Sequence, residues 1–323
     1  MQRPNHSTRS TRIPERREGA YCYVLITPAR NEADTIELTI QSVVRQTIRP
    51  AKWVIVSDGS TDGTDELVSK FGTQYDWIEL VRKSNRSERH FAGKVDAFNA
   101  GYAKVKDLEF EIVGNLDADV SFDDPSYFEF LVDKFAENPR LGVCSTSYWE
   151  GNLIYPSRFT SIEDVMGACQ MFRRDCFDDI GGYLPMRAGG VDLVAFLSAR
   201  AKGWQTRTFK EKSCLHHRKV GSAQHKGAYE RLLQTGRKDC ILGSHPLWEI
   251  LRGLYQAKSK PYVIGSILTL TGYFWAMLSG VEKTMPKELI ELRRNDQMQR
   301  LKGILRRAPS VAVVSMGREE ARR

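Results

Sequence analysis

Two short apolar runs, Trp53-Val54-Ile55-Val56 and Glu111-Ile112-Val113-Gly114-Asn115-Leu116, each lead into an acidic turn, Asp58-Gly59-Ser60-Thr61-Asp62-Gly63 and Asp117-Ala118-Asp119. Runs this brief and this rich in β-branched residues read as buried strands rather than helices. Residues 21–27 form another such run, ended by Pro28-Ala29-Arg30-Asn31-Glu32. A helical pattern then spans 34–46, with Ile36, Ile40, Val43 and Val44 on one face. A second helix is expected from about 62 to 71, a third strand at 78–81, a basic loop at 82–89 and a further helix from Ala92. Strands alternating with helices at this interval specify βαβ units and a mostly parallel sheet, an α/β fold.

In such a sheet, polar residues at the C-terminal ends of the strands line the crevice where ligands bind. Asp117 and Asp119, one residue apart, can both aim oxygens at one hard cation, whose other ligands are usually water and phosphate oxygens. The two clusters together describe a pocket for a nucleotide diphosphate with a divalent ion at its floor. Taken singly, either cluster reads as an ordinary turn or helix cap.

The net charge of +8 suggests nucleic acid until it is divided along the chain. Residues 1–20 carry 5 basic and 2 acidic side chains, residues 282–323 carry 11 and 6, and residues 21–281 carry 32 of each. The excess sits in the ends, which suits an anionic membrane surface, and no nucleic-acid-binding motif accompanies it. Six cysteines without C-x-x-C spacing argue against a zinc site or a disulfide framework, so a reducing compartment is expected. Residues 1–19 mix Arg, Ser, Thr and Pro without an apolar stretch, the composition of a disordered basic arm and not of a secretory leader.

The order of motifs resembles family 2 glycosyltransferases, which have a GT-A type nucleotide-sugar-binding fold. The matching stretches are Thr27-Pro28-Ala29-Arg30-Asn31-Glu32, Ser57 to Thr64, the segment from Gly93-Lys94 to Asn99-Ala100-Gly101, and the Asp117/Asp119 pair. Gly167 to Arg174 and Ile180-Gly181-Gly182-Tyr183 look like that family's acceptor-side region. The resemblance covers residues 21–220, about two thirds of the chain. It implies that Pro28, Arg30, Asn31, Glu32, Asp58, Lys94 and Asp117 bind the nucleotide-sugar. Asp58 would accept a hydrogen bond from a base N–H, which argues for uracil or another base with a ring donor. Asp117 and Asp119 would meet the ribose and a Mn2+ or Mg2+ ion. Asp192, in Gly189-Gly190-Val191-Asp192-Leu193, stands where the family carries its general base, although one aspartate after a valine replaces the frequent acidic pair. Its competing role is to cap a helix at 193–202. In related enzymes a histidine near His216-His217 completes the metal shell; adjacent strand residues point to opposite faces, so at most one can face the ion, and His217 is favoured.

Beyond Gly221 the resemblance fades. An uncharged run of 21 residues, 261–281, meets the length of a membrane span, and the segment before it, with Leu247, Trp248, Ile250, Leu251, Leu254 and Tyr255, has the pattern of an interfacial helix. The alternative is that both pack on the catalytic domain or at a dimer interface. The expected organisation is a basic arm at 1–19 and a GT-A domain at 20–228, its nucleotide half at 20–125 and its acceptor half at 126–228. A helical, membrane-associated region at 229–307 and a tail at 308–323 follow. The expected function is metal-dependent inverting transfer of a sugar from a nucleotide diphosphate, UDP by preference, to a glycan or lipid-linked acceptor in polysaccharide synthesis at the cytoplasmic face of the membrane. A sugar-phosphate nucleotidyltransferase would need a Gly-rich loop after the first strand, and Pro28 to Glu32 has no glycine. A dinucleotide-binding oxidoreductase would need G-x-G-x-x-G there. A non-catalytic partner of a synthase complex would have no use for an intact aspartate pair.

Overall fold

The structure, a computed structural model, describes residues 21–84, 91–150, 153–155, 159–218, 227–257 and 262–306. The expected arm at 1–19, most of the basic loop and the tail lie outside the described residues. In chain order the elements are β1 (Tyr23–Ala29), α1 (Ile36–Val44), β2 (Lys52–Asp58), α2 (Thr64–Gln74), β3 (Ile78–Lys83), α3 (Phe91–Val105) and β4 (Ile112–Leu116). They continue with β5 (Val120–Ser121), α4 (Tyr127–Glu137), β6 (Leu141–Glu150), β7 (Leu153–Tyr155), β8 (Cys169–Arg173), α5 (Arg174–Asp179), α6 (Val191–Ala201) and β9 (Gln205–His216). Four helices close the described chain: α7 (Ala228–Ile241), α8 (Pro246–Gln256), α9 (Tyr262–Leu278) and α10 (Lys287–Arg306).

The strands form one sheet in the order β3-β2-β1-β4-β8-β6-β9-β5, with β7 paired to β6. Strands β1 to β4 are mutually parallel, as the alternation of elements predicts. The other half departs from that expectation. β8 runs antiparallel to β4 and β6, β7 to β6 and β5 to β9, so the whole sheet is mixed rather than mostly parallel. A parallel neighbour needs a crossover of about a dozen residues or more, usually helical. Among the described residues no helix lies between β6, β7 and β8, and β7 and β8 both run against β6.

Alternation along β1 and β2 divides the core between two faces. Tyr23, Leu25, Trp53 and Ile55 join Ile36, Ile40 and Val43 of α1 on one side. Val24, Ile26, Val54 and Val56 join Val95 and Phe98 of α3 on the other, with Val194, Leu197 and Ile290 beyond. A parallel sheet buried on both faces needs such continuous apolar strands.

The C-terminal helices pack tightly on one another. A Cβ on Gly236 of α7 would lie 1.8 Å from the Thr269 carbonyl oxygen of α9, and one on Gly272 would lie 2.1 Å from that of Leu233. Beside this crossing, the buried Asp239 accepts from Arg252 at 2.5 Å and Arg293 at 3.2 Å. Burial alone would raise the Asp239 carboxyl, but the two guanidinium groups hold it down to about 2. The small and hydroxyl-bearing residues of the uncharged run thus serve helix packing: Gly265, Ser266, Thr269, Gly272, Tyr273 and Ala276 face inward. The large ones face out, with Trp275 73% and Leu278 81% exposed. α9 has 17 residues, and no helix among the described residues is long and apolar enough to cross a membrane.

Candidate active site

The chain leaves β1 toward β2 on one side and, through α3, reaches β4 on the other. Such a reversal of strand order opens a crevice at the carboxyl ends of the strands. Here it is a cavity of about 390 Å3, lined among others by Pro28, Arg30, Glu32, Asp58, Lys94, Asp117, Asp119, Asp192, His216 and Arg218.

The loops after β1 and β2 are laced together. Asn31 adopts a left-handed backbone with φ of 56°, and its Oδ1 accepts from the Thr61 amide at 2.9 Å while its own amide donates to Ser60 Oγ at 3.1 Å. The Glu32 amide donates to Thr64 Oγ1 at 2.9 Å and the Ala33 amide to Asp62 Oδ2 at 3.0 Å. The first acidic cluster therefore divides its labour. Asp62 ties one loop to the other, whereas the buried Asp58 lines the cavity with Arg30 at 3.9 Å. Asn31, expected at the nucleotide, is not among the cavity-lining residues; its side chain is spent on the Thr61 amide.

The second cluster holds the floor. Immediately after Asp119 the two-residue β5 pairs with the end of β9, Val120 opposite His216, and this register brings the imidazole to the aspartates. One ligand atom each from Asp117, Asp119 and His216 lie within 4.8 Å of one another, with His216 Nε2 3.7 Å from Asp119 Oδ1. His216 Nδ1 contacts the Arg218 carbonyl, which can only accept, so the neutral ring carries its proton there and turns the Nε2 lone pair toward the aspartates. Two carboxylates and an imidazole could hold a divalent metal ion. The cluster holds His216 and not the favoured His217, whose Nε2 lies 2.9 Å from Ser121 Oγ; burial pulls the His217 ring below its ordinary pKa despite Asp119.

Two cations cover these carboxylates. Lys94, in the first turn of α3, donates to Asp117 Oδ1 at 2.5 Å. Burial would lower the Lys94 ammonium, but Asp117, with Asp192 and Asp119 behind it, carries it above its ordinary value. Arg218 grips Glu32 in a fork, Nη1 to Oε1 at 3.1 Å and Nη2 to Oε2, with its Nε 3.9 Å from Asp119. Desolvation, reinforced by Asp117, raises the Asp119 carboxyl despite His216 and Arg218.

Asp192 occupies the first turn of α6, entered through Gly189 and Gly190, both at φ of 85°. Gly190 is the N-cap, and Asp192 is the acidic residue of the first turn. Gly167 lies beneath it: a Cβ there would sit 3.2 Å from the carboxylate. Gln170 donates to the Asp192 carbonyl at 3.3 Å and accepts from the Tyr183 hydroxyl at 2.7 Å. The sequence singled out the stretch that holds these residues but not their support of Asp192. It gave no signal for Lys238 of α7, a helical lysine like many others, which also lines the cavity. A larger open groove of about 630 Å3 along β9 and α4 holds none of the expected site residues, and ion pairs such as Arg200–Glu163 and Lys134–Glu137 occupy its walls.

Residues 24–163 match the family model described as Glycosyl transferase family 2. Over 113 residues the chain is 33% identical to the poly-beta-1,6-N-acetyl-D-glucosamine synthase of Staphylococcus epidermidis, a match that covers 35% of this chain and 25% of the relative. The synthase of that name from Staphylococcus aureus strain COL is 32% identical over the same length. The chain thus spans about a quarter of the length of these curated relatives. Among solved structures, a mannosyltransferase from Pyrobaculum calidifontis in complex with GDP-Man and Mn2+ superposes with a TM-score of 0.55 at 16% identity, covering 89% of this chain and 82% of that one. Residues 1-349 of S. aureus TarS in complex with UDP-GlcNAc give 0.50 at 14% identity, covering 86% and 81%. At such identities the likeness concerns the fold.

Proposed function

We propose that the chain, whose residues 24–163 match the model of glycosyltransferase family 2, is a member of that family and carries out a metal-dependent, inverting transfer of a sugar from a nucleotide diphosphate to a glycan or lipid-linked acceptor. The observation that carries the reading is the convergence of Asp117, Asp119 and His216 in one cavity with Asp192. Asp117, Asp119 and His216 hold Mn2+ or Mg2+, which when bound stabilises negative charge on the departing diphosphate. Asp58 receives the base N–H, and Pro28, Arg30 and Glu32 line the nucleoside end. Lys94 and Arg218 exchange their carboxylate partners for phosphate oxygens.

Asp192 takes the proton of the acceptor hydroxyl as its oxygen bonds to the anomeric carbon. The bond from that carbon to the diphosphate oxygen breaks, and the nucleoside diphosphate leaves with the electron pair. One displacement without a covalent enzyme intermediate inverts the anomeric centre. UDP is the preferred nucleotide: uracil is among the bases whose ring N–H Asp58 can accept, and the N-acetylglucosamine in the name of the curated relatives agrees with a UDP-sugar.

The work is done at a membrane surface on its cytoplasmic side. α8 exposes Leu247, Ile250 and Leu254, and α9 exposes Val263, Ile264, Ile267, Trp275 and Leu278. Helices that bury small residues and expose aliphatic and aromatic ones have the polarity of an interfacial element. The test of the function is release of UDP from UDP-GlcNAc with Mn2+, by the wild type and Asp192→Asn. The substitution is expected to lower turnover by about 100-fold or more while UDP affinity changes less than about threefold. Equal turnover would remove Asp192 from the reaction.

A further inference from the structure

Four lysine or arginine side chains line the cavity, and three of them have a carboxylate partner: Arg30 with Asp58, Lys94 with Asp117, and Arg218 with Glu32. Lys238 is different. Among the described residues its ammonium has no hydrogen bond and no ion pair. Its neighbour Asp239 pairs with Arg252 and Arg293 in the helical region, and Lys238 adds only a weaker attraction to it.

The position of Lys238 is set by packing. Leu242, one turn further along, lies against Gly190: a Cβ there would come within 2.5 Å of Leu242 Cδ1. Arg293 and Arg294 of α10 donate to the Leu242 and Gly243 carbonyls at 2.8 and 2.9 Å, which fastens the end of α7. The Gly236–Thr269 contact fixes the preceding turn. α7 is therefore locked against the Gly189-Gly190 turn that delivers Asp192, and Lys238 joins Gly190, Val191 and Asp192 in the cavity wall. The strand-end wall already gathers Lys94, Arg218 and the metal-binding set for the donor's diphosphate.

We propose that Lys238 is a specificity residue that binds a phosphate carried by the acceptor, so that the hydroxyl brought to Asp192 belongs to a phosphorylated molecule. This rests on the transferase reading above. Among the described residues no carboxylate pairs with this half-buried ammonium, which lines the same cavity as Asp192, and a compact point charge of this kind suits a phosphate oxygen. A neutral glycan would leave it unmet.

The probes are glycerol 3-phosphate, which places a hydroxyl beside a phosphate, and glycerol as its neutral counterpart. Equilibrium dialysis of each against the full chain, with and without UDP and Mn2+, is compared for wild type, Lys238→Gln and Lys238→Arg; UDP affinity is measured in parallel by calorimetry. Wild type and Lys238→Arg are expected to bind glycerol 3-phosphate, Lys238→Gln about tenfold more weakly, with UDP affinity moved by less than about twofold. Three overlapping isotherms for glycerol 3-phosphate, absence of binding in the wild type, or equal binding of glycerol would overturn the proposal. So would a tenfold loss of UDP affinity in Lys238→Gln, which would give the phosphate to the donor. A chain that binds glycerol 3-phosphate but no nucleotide contradicts the transferase reading instead.

Discussion

His216 and His217 are adjacent, yet strand geometry sends one imidazole to Asp119 and the other to Ser121. His216→Ala is expected to weaken Mn2+ binding by about 100-fold, since it removes a ligand and not merely a supporting contact, whereas His217→Ala should change it by less than about threefold. Titration with Mn2+ checks this, and equal losses would mean that the β5–β9 register does not select the ligand. Asp58, Asp117, Asp119 and Asp192 were legible in the sequence, because strand ends and glycine turns mark them locally. The choice between the histidines was not, because it depends on pairing between segments about a hundred residues apart. Asn31 stands in the same loop as the cavity-lining Arg30 and Glu32, and its Oδ1 accepts from the Thr61 amide, a pairing between two loops that sequence does not reveal.

At the scale of elements, β1 to β4 with α1 to α3 could be read from periodicity, and their observed limits differ from the expected ones by a few residues. The antiparallel β8 could not, since nothing in a five-residue apolar run states its direction. Glycines in the uncharged run weaken the case for a span, and the structure gives them a use. Gly236→Ala would force a methyl into the Thr269 carbonyl, a backbone atom that cannot swing aside. The expected cost is about 3 kcal/mol, at the upper end of ordinary overpacking. Thermal or urea unfolding measures it, and an unchanged midpoint would show that α7 and α9 do not approach as described. Loosening α7 should also depress turnover beyond the loss of folded protein, because Leu242 packs on the turn before Asp192.

Across the whole molecule, a neutral body carries its site at one end of the sheet and an exposed apolar surface on α8 and α9. Composition located the basic excess in the ends of the chain, but it could not tell a span from a surface, a distinction that depends on which side of α9 meets α7. If that surface docks on lipid, the chain sediments with phosphatidylglycerol vesicles. Trp275→Glu combined with Leu278→Glu should then cut the bound fraction at least about fivefold without altering UDP affinity, since a charge at an interfacial position opposes insertion. Equal sedimentation by the double variant would move the contact elsewhere.

The most direct measurement is calorimetric titration of UDP-GlcNAc into the wild-type chain and Asp119→Ala, each with Mn2+ and with the metal chelated. Mn2+ should tighten binding to the wild type by about tenfold or more and leave Asp119→Ala unaffected, because Asp117, Asp119 and His216 would hold an ion that offsets the charge of the diphosphate. Binding of equal strength with and without the metal, or an undiminished metal effect in Asp119→Ala, would contradict the reading of Asp117, Asp119 and His216 as the centre of the site.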